Sequence, residues 1–161
     1  MTEPSDVASA SPARTDLPFR LLALAWVITG GLTAAVTGPL GLEHGSWSAA
    51  FQVLVGGVMQ GVLGIAQHGL ASRAPGRGVL VAELLTWNLG GLAVIGGTVL
   101  AAPLLVDAGG ALLVVTMVLM LRAVGRGATG PTWLLWVFRA ALVLTAVSIP
   151  VGLVLAHLRA A

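Results

Sequence analysis

Cysteine is absent from the 161 residues, which excludes disulfides, Cys-ligated iron–sulfur clusters and thiolate metal sites. Lysine is absent too, so all eight positive charges are arginine. Charge of either sign is scarce: 9% of residues are charged, against about 25% in soluble domains. The formal charge of +2 and the pI of 11.2 come from arginines scattered through loops, and no basic cluster of the kind that binds nucleic acid is present. Long polar loops are missing as well. None exceeds about a dozen residues, so no soluble domain is available to house chemistry.

What the chain has in abundance is hydrocarbon. Hydrophobic residues make up 57% of it and the mean hydropathy is +0.99, a composition that belongs in a lipid bilayer. An apolar helix needs about 20 residues to cross the hydrocarbon core. Five stretches qualify, at residues 19–40, 46–70, 78–102, 106–124 and 132–158, and they predict an all-α integral membrane bundle of five transmembrane helices. Turn chemistry separates them: Gly38-Pro39, Gly41 and Gly45; Ala74-Pro75-Gly76; Pro103; and Gly127, Gly130 and Pro131. The reversal at the third break is expected near Leu104 to Asp107. Residues 1–18, with Glu3, Asp6, Arg14 and Asp16 among Ser, Ala and Pro, cannot bury enough apolar surface to order themselves and read as a disordered tail. The apolar run after Arg20 is longer than the h-region of a cleaved signal, so cleavage is not expected.

Arginine placement sets the direction, because short cytoplasmic segments are enriched in positive charge. Arg14 and Arg20, Arg73 and Arg77, and Arg122 and Arg126 fall on one side. Glu43, His44, Asp107 and the terminal Arg159 fall on the other. The N-terminus is therefore expected in the cytoplasm of an inner (plasma) membrane and the C-terminus outside. Trp133 and Trp136 then lie near the inner interface and Trp47 near the outer one, as an aromatic belt places them.

Within the second span every fourth residue is small or polar: Ser48, Gln52, Gly56, Gln60, Gly64 and His68. A period of four follows one ridge of an α-helix, so this ridge reads as a packing seam whose glutamines make interhelical hydrogen bonds. His68 is the stripe position singled out for function. Glu83 lies about five residues into the third span and Arg139 about seven into the fifth, which at about 1.5 Å per residue places both roughly 8 to 11 Å below the cytoplasmic edge. With Gln67 and His68 at similar depth they form a candidate polar layer. Its structural reading is an ion pair docking the third helix on the fifth, and its functional reading is a proton or ligand path. On the opposite rim Glu43, His44, Asp107 and His157 are a candidate metal set, with solvated chain ends as the plainer account. Met59, Met117 and Met120 offer axial sulfur to a haem but fit core filling better.

Small residues supply the other pattern. Gly30, Ala34 and Gly38 recur in the first span, Gly56, Gly57, Gly61 and Gly64 in the second, and Gly90 and Gly91 with Gly96 and Gly97 in the third. Such GxxxG-type spacing lets backbones approach closely in lipid. It predicts a tight cluster of the first three helices, or equally a homo-oligomer. Pro150 is expected to kink the fifth span, with Ser148 helping to satisfy the freed carbonyl.

The order Gln67-His68, Asn88-Leu89-Gly90 and Gly96, Pro103, Ala108-Gly109, Leu121-Arg122, Phe138-Arg139-Ala140-Ala141 and Pro150-Val151-Gly152 resembles a known membrane region. It is similar to the multi-helix part ahead of the copper-binding domains in some membrane-bound copper nitrite reductase-like proteins, which is in turn distantly like haem-copper oxidase subunits. The resemblance implies a respiratory or redox setting. Where such relatives would carry histidines inside the helices this chain has Phe51, Gln60 and Met120, which leaves His68 as the matching imidazole. No catalytic residue set is expected. The leading expectation is a non-catalytic multi-pass protein acting through helix contacts, as a homo-oligomer or an accessory subunit. The alternatives are a haem- or copper-binding redox protein, and a small transporter or proton path through Glu83, Arg139 and His68.

Overall fold

The computed structural model describes residues 16–125 and 128–160. Of the tail expected over residues 1–18, residues 1–15 with Arg14 lie outside the described residues, as do Arg126 and Gly127, while Leu17 and Pro18 belong to the first turn of α1 instead of a disordered segment. Among the described residues there are six α-helices and one π-helical segment: α1 (Leu17–Leu40), α2 (Gly45–Phe51), the π-helix Gln52–Met59, α3 (Gln60–Leu70), α4 (Arg77–Val99), α5 (Pro103–Gly125) and α6 (Thr132–Ala160). α2, the π-helix and α3 join into one rod, Gly45–Leu70, so among the described residues five helices are long and apolar enough to cross a membrane.

Each helix ends where the sequence removes the means to continue. α1 runs through Pro39 and stops at Gly41, whose φ of 59° is the left-handed conformation that glycine adopts without cost; the Leu42 N–H then reaches back to the Thr37 carbonyl at 3.0 Å. The reversal between α4 and α5 differs from expectation. It occupies Leu100–Ala102, with Ala101 at φ 49°, and Pro103 opens α5 instead of preceding a loop. The reason is positional: proline lacks the N–H that a first helical residue leaves unused anyway, and its fixed φ suits that place. Pro150 likewise does not interrupt α6. Ser148 Oγ donates to the Leu144 carbonyl at 2.7 Å, one turn back, and not to Ala146, whose usual partner the proline ring removes.

α1 lies along the second span, α4 pairs with α5, and α6 packs on α3 and α5. The expected cluster of the first three spans is therefore replaced by two pairs. In the first pair Gly30 meets Val53 and the Ala49 carbonyl, Gly56 lies under the Trp26 ring, Gly57 against Val27 and Gly64 against Phe19. In the second, Gly90 and Gly109 cross backbone to backbone, and Gly97 meets Val106. A loop contact closes the bundle at the arginine-bearing end, where the Thr129 N–H donates to the Leu70 carbonyl at 3.0 Å.

The core is concentrated towards that end. Phe19, Leu63, Leu70, Trp87, Met120 and Phe138 are all buried to within 1%. At the opposite end the bundle opens: a cleft of about 510 Å³ lies between the second span and α6 and is lined by Phe51, Val55, Val94, Leu113, Thr145 and Ser148, among others. Exposed leucines and valines run along every span, such as Leu85, Leu89 and Leu92 on α4 and Val143, Val147 and Val151 on α6. Apolar surface that continuous marks contact with a partner or with lipid.

Candidate functional site

The ridge of every fourth residue on the second span is buried from Ser48 through Gln52, Gly56 and Gln60 to Gly64, and then leaves the interior: Gln67 is buried while His68 is exposed. Helix geometry explains both halves. In an α-helix every fourth residue drifts about 40° round the axis. The π-helix at Gln52–Met59 has wider turns and holds the ridge in line; once α-geometry resumes at Gln60, the drift returns and the inward positions become Leu63, Gly64 and Gln67. His68, expected as the functional member of the stripe, is thus turned outwards, and Gln67 beside it faces the interior.

On α4, Glu83 and Trp87 are one turn apart and face the same interior, with 0% and 1% exposure. Gln67 Nε2 donates to Glu83 Oε1 at 2.8 Å, which ties α3 to α4 near the arginine-bearing end. Further along, the Trp26 indole Nε1 donates to Asn88 Oδ1 at 2.7 Å, and Asn88 Nδ2 donates to the Leu84 carbonyl at 2.7 Å. The same Trp26 ring covers Gly56 and reaches Gly91, so it spans three helices. Thr86 and Thr116 share a hydroxyl bond of 2.6 Å between α4 and α5. Gln52 Nε2 donates to Thr33 Oγ1 and to Ser48 Oγ, each at 3.1 Å, which ties the second span to α1.

Four polar atoms in this interior have no hydrogen-bond partner within the described chain: Glu83 Oε2, Trp87 Nε1, and both Nε2 and Oε1 of Gln60. Gln60 is 0% exposed. Buried polar groups are almost always satisfied, so such a concentration is unusual.

The expected layer of Glu83, Gln67, His68 and Arg139 is only partly assembled. Glu83 and Gln67 meet; Arg139 does not join them. It is exposed on α6, with its guanidinium carbon 5.7 Å from the centroid of the Trp136 ring, and no ion pair to Glu83 occurs among the described residues. The neighbouring Phe138 takes the inward position at 0% exposure, which turns Arg139 outwards to lie along an aromatic face.

The opposite rim divides in two. His157 Nε2 lies 3.5 Å from Asp107 Oδ2, while Glu43 and His44 line a separate cleft of about 620 Å³ with Trp47, Thr98 and Leu155. Among the described residues no three His, Asp or Glu side chains come close enough to share a metal ion, so the candidate metal set is not brought together. Met117 and Met120 sit in the core, at 8% and 0% exposure. No family model, curated protein or solved structure matches the chain.

Sequence reasoning located Gln67 and Glu83 but missed Trp87 and the Trp26–Asn88 tie. An asparagine inside an apolar span was the available signal for that tie, because in lipid its amide needs a partner on another helix. Trp87 carried no such signal: an indole in a greasy span is as much at home facing lipid as facing the core.

Proposed function

We propose that this chain is a multi-pass protein of the inner (plasma) membrane, N-terminus cytoplasmic and C-terminus outside, that acts without catalysis through its first span. That span docks a second copy or a subunit of a respiratory or redox membrane system. The observation that carries this reading is the face of α1 left uncovered by the bundle. Gly31 and Gly38 have no atom within 4 Å of where a Cβ would stand, and Ala34 between them is exposed. With Ala49, Ala50 and Val53 of the second span they line a shallow groove of about 560 Å³.

A groove of low relief is what a second helix needs for close approach in lipid, where packing rather than the hydrophobic effect drives association. α1 also has the smallest buried share of the five spans, 11%, so most of its surface awaits lipid or a partner. The arginines of the short loops support the direction, and the resemblance to copper nitrite reductase-like membrane regions supports the respiratory setting.

Filling the groove tests the reading. Gly31→Leu with Gly38→Leu is expected to convert a dimeric or partner-bound protein in lipid nanodiscs to a free monomer without lowering its unfolding midpoint. A wild-type protein that is monomeric at every lipid-to-protein ratio and captures no membrane partner would overturn it.

A further inference from the structure

The unpartnered atoms in the interior point to something the helix contacts do not use. Two ties hold the second span and α4 in register: Gln67 to Glu83 at one level, and Trp26, lying over Gly56 and against Gly91, at another. Gln60 lies between Gly56 and Gln67 on one rod, and Trp87 lies between Glu83 and Gly91 on the other. Both residues are buried and stand at levels between the two ties, and the α1 side of this stretch is closed by Phe19 against Gly64 and Trp26 against Gly56. Counted from Arg77 at about 1.5 Å per residue, Glu83 and Trp87 stand about 9 and 15 Å into α4, well within a hydrocarbon core about 30 Å thick.

The donor and acceptor inventory narrows the occupant. Trp87 Nε1 is a donor only, which a cation cannot use; Glu83 offers carboxyl oxygen, which an anion would not approach. Gln60 presents one acceptor and two N–H donors. The set calls for a small neutral molecule that both donates and accepts. None of the three residues lines the four clefts at the rims and flanks, and water is the smallest neutral molecule that both donates and accepts. Polar atoms buried without a partner are costly, and buried water bridging two to four polar groups is the usual remedy.

We propose that Gln60, Glu83 and Trp87 form an internal hydration site in which ordered water accepts from the Trp87 indole and bridges Glu83 Oε2 to the Gln60 amide. Water there gives a membrane-embedded carboxyl a hydrogen-bonded neighbour other than Gln67. The site stands apart from the α1 groove and does not depend on it.

Proton-detected NMR on the full chain in deuterated-lipid bilayers, with ¹⁵N-labelled tryptophan, tests this directly; the Trp87 indole is assigned by its loss in Trp87→Phe. The expected result is a cross-peak between the Trp87 indole N–H and water, absent for the Trp26 indole that Asn88 holds. A Trp87 N–H with no water cross-peak, persisting in D₂O, would overturn the site. In Gln60→Leu the Trp87 water peak is expected to vanish while the Trp26 signal stays in place. An undiminished water peak in that variant would remove Gln60 from the site. The wild-type spectrum decides for or against water whether or not the variant folds.

Discussion

Gln67 supplies the one hydrogen bond within the described chain that a fully buried carboxyl receives, so the behaviour of Glu83 depends on a neighbour 16 positions away rather than on the arginine of a distant span. Gln67→Leu removes the donor to Glu83 Oε1 and is expected to cost about 1–3 kcal/mol, read from reversible unfolding in mixed micelles. Glu83→Gln keeps an oxygen for Gln67 to donate to and is expected to cost less. Arg139→Gln, which removes a charge from an exposed side chain resting on Trp136, is expected to leave the midpoint unchanged. A loss from Arg139→Gln as large as that from Gln67→Leu would show that the two ends of the expected layer are coupled after all. Trp26→Phe deletes an interhelical bond of a kind worth about 0.6 kcal/mol on average in membrane bundles, and should lower stability by that order.

Helices in this chain differ most in how closely their backbones approach, and glycine marks the difference. At Gly109 a methyl group would stand 2.7 Å from the Gly90 carbonyl and 2.8 Å from the Val94 nitrogen, and backbone atoms cannot step aside. Gly109→Ala is therefore expected to push α4 and α5 apart and cost about 1–3 kcal/mol, whereas Gly38→Ala meets nothing and should leave the thermal midpoint of the monomer in place. The five spans were legible because length and apolarity are properties of the sequence itself, and Pro103 was legible as a break. Which face of each span turns inwards was not. In lipid both faces are apolar, so Phe138 and Arg139 could not be told apart as inward and outward by hydrophobicity, and the small residues of α1 could not be divided into those used inside the bundle and those left over. The π-helix left no trace either, since Gln, Val, Leu, Gly and Met at 52–59 are ordinary α-helix residues in lipid.

As a whole the bundle is closed at one end and open at the other. Phe19, Leu70, Met120 and Phe138 seal the arginine-bearing end, while α6 and the second span part towards the opposite rim around the apolar cleft. Amide hydrogen exchange should follow this gradient, with α6 beyond Thr145 exchanging faster than α6 before it; uniform protection along α6 would contradict it. The absence of native cysteine makes the membrane direction simple to read. A single cysteine at Ser72 is expected to react with an impermeant maleimide only from the cytoplasmic side, and one at Glu43 only from outside. The π-helix at the middle of the second span gives this two-ended molecule an expansion joint. Removing one residue from Gln52–Met59 lets the rod close towards plain α-helix with little turn between its Ser48 and Gln67 ends, because the wide turns already hold a residue more than α-turns would. Gln52 would then keep Thr33 and Gln67 would keep Glu83, whereas the same deletion within α3 would turn the two halves of the rod by about 100° against each other.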